Sequence, residues 1–437
     1  MALCPLRGRV TVASIASGQA PLHPAIRYNV GSRFPKFVET TAADRLFMPD
    51  RRFILLTFDG LACSSLGCYG SSWSLTPGIN HLAANGTTWH RHVATHDQPW
   101  TVFQRWLAEP ATTQWARRQR ELGTVELLTD DGQFANSLSE PSKSVFDALT
   151  AVAVSDTDSS DHAADDLDRT RLGQLVAAVS DRMLDPAPWG ALWLHSSFLT
   201  RCWDAPRSLI PDQFVEEPSL EPIDPADESL EKAQVQVHET APQWFDQVVV
   251  PRVEIDQRFD PDQLTAWMQT YSCQTRLIDV LLSVLQDQAA SLDEPIVWVI
   301  AGTSGFSFGQ NGWIGHACGP LRSEQIRLPL IISDGSQAIH VPQITDSDSM
   351  PSLLLRCGRG KALVTPEQLA SDARDEYAPA VRTRSDRCRQ AITTPQWYAV
   401  VDRDDRRGLY SKPDDLYDAN DISRLSPQVM ERLIELA

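Results

Sequence analysis

The stretch "FILLTFDGLACSSLGCYG" starting at Phe53 runs apolar, stops on one acid, Asp59, and turns on glycine into a helix-like segment. A carboxylate at the tip of a buried strand either caps the helix that follows or holds something at the mouth of a sheet. In "WHRH", His90 and His92 alternate across one residue, so a strand would point both to one side. Such a pair is sometimes a ligand pair and more often surface. His195, inside the apolar run "WGALWLHSS", reads most simply as a satisfied core histidine.

The elements that must position these residues alternate. "RRFILLTFDG", "WGALWLHSS", "PIVWVIAG" and "RLPLIIS" read as core strands, and "TTWHRHVAT" as extended. "TPGINHLAANG" is expected to be a short helix opened by Thr76 and Pro77 and closed by Gly86. "ADDLDRTRLGQLVAAVSDRML" and "LTAWMQTYSCQTRLIDVLLSVLQDQ" are further helices. Continuous apolar strands separated by helices imply an α/β fold whose mostly parallel central sheet is covered on both faces. In such a sheet ligands sit beyond the carboxyl ends of the strands, so Asp59 and the segments after Leu194 and Ala301 should converge there. Two acidic insertions, near 155–167 and 211–234, are too polar for core. The chain divides into an N-terminal extension (1–50), the α/β core (51–358) and a small C-terminal subdomain (359–437). In the last, "QWYAVVD" and "GLYSKPDD" pair as an antiparallel hairpin and "SPQVMERLIELA" forms a terminal helix.

Composition narrows the function classes. The 437 residues carry a formal net charge of −18. That argues against nucleic acid as partner, because phosphate binding needs a basic surface. No apolar stretch reaches transmembrane length and the N-terminus lacks a continuous apolar signal core, so no membrane role and a cytoplasmic location are expected. Eight cysteines are scattered without C-x-x-C spacing, which suits reduced, mostly buried thiols. Nothing in the sequence names a protein partner.

"FDGLACSSLGCYGSSWSLTPGINHLAANGTTWHRHVA" resembles the opening of the sulfatase family, within the alkaline-phosphatase-like superfamily, which reads D-x-L-R-x-D-x-L-G-C-Y-G and then T-P-N-L-D-x-L-A-x-x-G. "GPLRSEQIRLPLIIS", "ITDSDSMPSLLLRCG" and "GLYSKPDDLYDANDIS" are similar to later elements of that family, in family order. The resemblance implies an alkaline-phosphatase-like fold and a divergent member with most catalytic positions substituted. Family enzymes hold a divalent cation, usually calcium. Asp59 stands at the first metal position, but the later T-S-D-H-G is here "AGTSG", so Thr303 and Ser304 replace the acid and its neighbour. In place of C-x-P-S-R stands "PWTVFQR", with Thr101 for the cysteine that becomes formylglycine, Phe103 for the proline, and Arg105 kept. Thr200 falls where a catalytic His is usual, and Cys318 where a lysine grips the sulfate.

The resemblance therefore implies a catalytically degenerate sulfatase-like protein, a binding or regulatory module for an anionic or sulfated ligand near Arg105, with His195 and His316 as further ligand contacts. No cofactor is expected, or calcium if the site at Asp59 survives. The alternative is a divergent sulfuric- or phosphoric-ester hydrolase or transferase using Thr101 as nucleophile with a rebuilt metal site, to which His96, Asp97 and His316 could contribute. Arg105 alone reads equally as an ordinary ion-pair partner.

Overall fold

The computed structural model describes residues 51–153, 162–210, 243–292, 294–366, 368 and 375–436. The N-terminal extension, most of the first acidic insertion and all of the second lie outside the described residues. Everything described belongs to one compact unit.

Among the described residues fifteen strands follow in chain order: β1 (Arg52–Phe58), β2 (Gly86–Val93), β3 (Thr124–Thr129), β4 (Ala148–Ala151), β5 (Trp189–Ser196), β6 (Arg252–Glu254), β7 (Ile296–Gly302), β8 (Ser307–Phe308), β9 (Trp313–Gly315), β10 (Arg327–Ser333), β11 (Ile339–Asp346), β12 (Val381–Arg382), β13 (Cys388–Thr393), β14 (Trp397–Asp402) and β15 (Arg407–Ser411). Eight of them form the main sheet in the order β11-β2-β10-β7-β1-β5-β3-β4. All run parallel except β10, which is antiparallel to both of its neighbours.

Alternation along β1 explains the two cores. Phe53 and Leu55 face one layer with Trp115, Trp193 and Val299, covered by the helices Pro99–Ala108, Pro110–Gln119 and Met350–Gly358. Ile54, Leu56 and Phe58 face the other with Leu192, Leu194 and Ile300, beneath the helices Pro77–Ala84, Arg171–Leu184 and Pro261–Ala289. A strand buried on both sides has no polar face to show, so its sequence reads as a continuous apolar run.

The C-terminal antiparallel sheet β12-β13-β14-β15 includes the expected hairpin, Val401 opposite Arg407. One of its faces packs Ile392, Val401 and Leu409 against Met430 and Leu433 of the helix Pro427–Leu436. A small third sheet, β6-β9-β8, accompanies the long helix.

Two local expectations need revision. The helix Pro77–Ala84 forms, but the Thr76 hydroxyl accepts from Gly67 N at 2.9 Å instead of capping it. Gly86 does not close that helix. It opens β2, where a Cβ would stand 2.2 Å from the Ile332 carbonyl oxygen of β10, so close strand approach is what demands glycine there.

Candidate active-site region

Four adjacent strands, β7-β1-β5-β3, end together, and the residue after each carries a polar group: Thr303, Asp59, Ser197 and Asp130. Asp59 N donates to Ser196 O (3.1 Å) and Thr303 N to Phe58 O (3.0 Å), which extends the ladder one step past each strand. Gly60 has φ +82° and leaves no room for a Cβ, which would lie 2.7 Å from the Thr200 methyl. The chain therefore turns sharply after Asp59 with Thr200 packed against the turn.

Asp59 is about nine-tenths buried, at 9% exposure. The Thr303 hydroxyl donates to its Oδ1. Burial pushes the Asp59 carboxyl up to about 7; the Thr303 hydrogen bond opposes the rise, and the Asp130 and Asp131 carboxylates add to it. Next to it, Ser304 Oγ accepts from Gly60 N at 2.9 Å and meets His316 Nε2 at 2.9 Å. Thr303 thus bonds the Asp59 carboxylate and Ser304 the Gly60 turn, at the two positions where the resemblance sets the acid and its neighbour.

His195 is fully buried with its Nδ1 3.1 Å from Thr57 Oγ1, a hydroxyl that also accepts from Trp193 Nε1. Its Nε2 has no hydrogen-bond partner and points no nearer than 3.7 Å to Asp59 Oδ1. Phe134 stacks on the ring at 4.1 Å and Phe103 leans on it at 4.7 Å. Burial lowers its pKa to about 3, which keeps the imidazole neutral. The reading of His195 as a satisfied core histidine is therefore half correct: one nitrogen is satisfied and the other is not.

On the β3 side, Asp130 receives Ser196 Oγ (2.7 Å) and Ser197 N (3.2 Å). Asp131 caps the helix Gly132–Ser137 through the N–H groups of Gln133 and Phe134 and pairs with Arg201 at 2.7 Å. Sequence reasoning missed this acid pair. The signal was present in "TVELLTDDG", a short apolar run stopping on acids as β1 stops on Asp59.

The remaining expected residues divide. Thr101 lies half-buried in the first turn of the helix Pro99–Ala108, between Trp100, whose ring packs on Phe134, and the Phe103 that leans on His195. Among the described residues its hydroxyl makes no hydrogen bond to an acid or a histidine. Arg105 donates through Nε and Nη2 to Asp348, which Thr95 also contacts at 2.9 Å, so its fork is filled by a carboxylate of the same chain. Thr200 turns its hydroxyl onto Ser197 O (2.9 Å). Cys318 is buried, and its carbonyl accepts from Arg387 at 3.2 Å while the same arginine pairs with Asp97 at 2.9 Å. Arg387, from the C-terminal segment, is a second residue that no motif announced. His90 pairs with His340 (2.8 Å), whereas His92 is fully buried against Thr345, so the surface reading fails for His92.

Among the described residues no three of His, Cys, Asp and Glu converge where they could hold a metal ion. Calcium needs six or more oxygens around it. The donors here are committed elsewhere: Asp59 to Thr303, Asp130 to Ser196, Asp131 to Arg201. This set does not fit a calcium cage.

The helix-covered eight-stranded sheet with its grouped strand ends is a sulfatase-like fold. The sequence itself matches no known family model and no curated protein. Solved structures match along nearly the whole chain. The structure of BT4656 in complex with its substrate D-glucosamine-2-N,6-O-disulfate covers 89% of this chain and 97% of its own, with TM-score 0.56 and 12% identity. The phosphonate monoester hydrolase of Agrobacterium radiobacter covers 88% and 94%, with TM-score 0.59 and 12% identity. BT1596, a 2-O GAG sulfatase, covers 89% and 91%, with TM-score 0.56 and 10% identity. At such identities the likeness is one of fold.

Proposed function

We propose that this chain is a non-hydrolytic member of the sulfatase-like fold, a binding module for an anionic or sulfated ligand that works without calcium. The observation that carries the reading is the Thr303 hydroxyl on the Asp59 carboxylate, a neutral donor where a second anionic oxygen would be needed to bind a hard cation. Thr101 supports it too, because a hydroxyl nucleophile needs a base, a cation or a metal, and no acid or histidine among the described residues reaches it. The ligand's charge is expected at Arg105, whose side chain is 42% exposed and whose guanidinium an incoming anion would share with Asp348. Around Asp59, three carboxylates crowd together near Arg201, and a further anion there would be repelled.

The test is a panel of aryl sulfate, aryl phosphate, phosphodiester and phosphonate monoester substrates, followed by titration with glucosamine disulfate. The expected result is no turnover by wild type, and binding that Arg105→Gln weakens. Turnover that disappears in Thr101→Ala would establish the alternative, an ester hydrolase or transferase.

A further inference from the structure

A cavity of about 250 Å³ lies away from Asp59, between the β2 and β10 strands and the C-terminal segment around Lys412. Its walls are largely apolar: Val93, Ile326, Pro342, Leu416 and the ring of Tyr69. Three cations border it, Arg91, Arg327 and Lys412. Their partners differ in a way that matters. Lys412 is neutralised by Asp418 at 2.6 Å. Arg91 spends its two terminal nitrogens on the carbonyls of Pro395 (2.7 Å) and Thr394 (2.8 Å), which carry no charge. Arg327 is more than nine-tenths buried, and its Nε has no hydrogen-bond partner. Burial works against the Arg327 charge, but Cys63 and Glu324 outweigh it and hold its pKa above the ordinary arginine value, although Glu324 makes no ion pair with it. One carboxylate oxygen of Glu324 takes the Ser64 hydroxyl (2.5 Å) and the other has no partner.

Two guanidinium groups therefore face one apolar cavity with no carboxylate in ion-pair contact among the described residues. Burial, and then the charge of Arg327, lower Arg91 to about 10. An anion entering the cavity would meet two guanidinium groups that no carboxylate yet engages in an ion pair, and a charge-assisted contact to arginine is among the strong ones. The volume exceeds the roughly 150 Å³ that admits benzene in an apolar cavity, so a ring with a short chain is the right size. We propose that this cavity binds a small carboxylate with an aryl or alkyl body, its head between Arg91 and Arg327 and its hydrocarbon against Val93, Ile326, Pro342 and Leu416. The site shares no residue with the Asp59 region, so it stands whether or not the non-hydrolytic reading does.

Calorimetric titration of the full chain with 3-phenylpropanoate tests this, with 3-phenylpropan-1-ol as the uncharged counterpart. The carboxylate is expected to bind at submillimolar concentration and the alcohol at least about tenfold more weakly, since a charge-assisted contact to arginine is lost. Arg91→Gln should weaken the carboxylate by a similar factor. Leu416→Trp, at the partly exposed rim, should fill the cavity and abolish binding without lowering the melting temperature. Equal binding of acid and alcohol, no binding of either at millimolar concentration, or full binding by a folded Leu416→Trp protein would each overturn the proposal. The acid–alcohol comparison uses wild-type protein alone, so it decides the matter even if a variant fails to fold.

Discussion

Replacing Asp59 by asparagine should make the protein more stable at alkaline pH, and by an amount that depends on pH in a predictable way. Burial raises the Asp59 carboxyl from 3.8 to about 7. Between those values the folded protein keeps a proton that the unfolded chain has released, so wild-type stability falls as pH rises through this window and is level above it. The full shift is about 3 units, or about 4 kcal/mol at 1.36 kcal/mol per unit, an order-of-magnitude figure. Roughly 2 units of it lie between pH 5 and pH 7, worth about 3 kcal/mol. The asparagine side chain cannot ionise and retains an oxygen for the Thr303 hydroxyl. The stability of Asp59→Asn relative to wild type, from urea unfolding, should therefore grow by about 3 kcal/mol from pH 5 to pH 8. Taking the difference between the two proteins removes the other titrating groups. A gap that stays constant with pH, or that shrinks, would refute the argument that burial at this carboxylate outweighs the Thr303 hydrogen bond and the charge of Arg201.

Three further outcomes follow from the same geometry. His195 is held neutral with its pKa near 3, so between about 6.5 and 3 the unfolded chain binds the extra proton and stability falls as pH falls; NMR titration of its ring should show no protonation at pH 5. Ser304→Ala leaves Gly60 N–H and His316 Nε2 without their partner and should destabilise by about 1–3 kcal/mol in urea melts. Arg105→Ala breaks an ion pair whose arginine is 42% exposed, and should cost under about 1 kcal/mol, because solvent screens such pairs.

The sheet was legible because burial on both faces leaves a continuous apolar run that no loop imitates, as in β1, β5 and β7. What escaped was carried by shorter or half-polar strands. β4, "ALTA", is an exposed edge strand, and β11 carries His340 and Gln343 among its apolar residues, so neither shows a clean period. The direction of β10 was equally hidden, because a buried strand has the same composition whichever way it runs. At the site, Asp59, Thr200, Thr303 and Ser304 were found through strand ends and motif order, and the structure brings them together. Asp97 with Arg387, and Asp130 with Ser196, are contacts between residues far apart in the chain that share no local pattern. Arg105 had two readings from sequence, and its partner Asp348 lies 243 positions away, beyond any spacing rule.

Calcium titration of the wild-type protein by calorimetry at pH 8, where Asp59 is ionised, tests the central claim most directly. A carboxylate whose neighbour is a threonine hydroxyl, with Asp130 and Asp131 already engaged, should give no saturable heat at millimolar calcium. A saturable isotherm that vanishes in Asp59→Asn, accompanied by calcium-dependent cleavage of an aryl sulfate, would contradict the account.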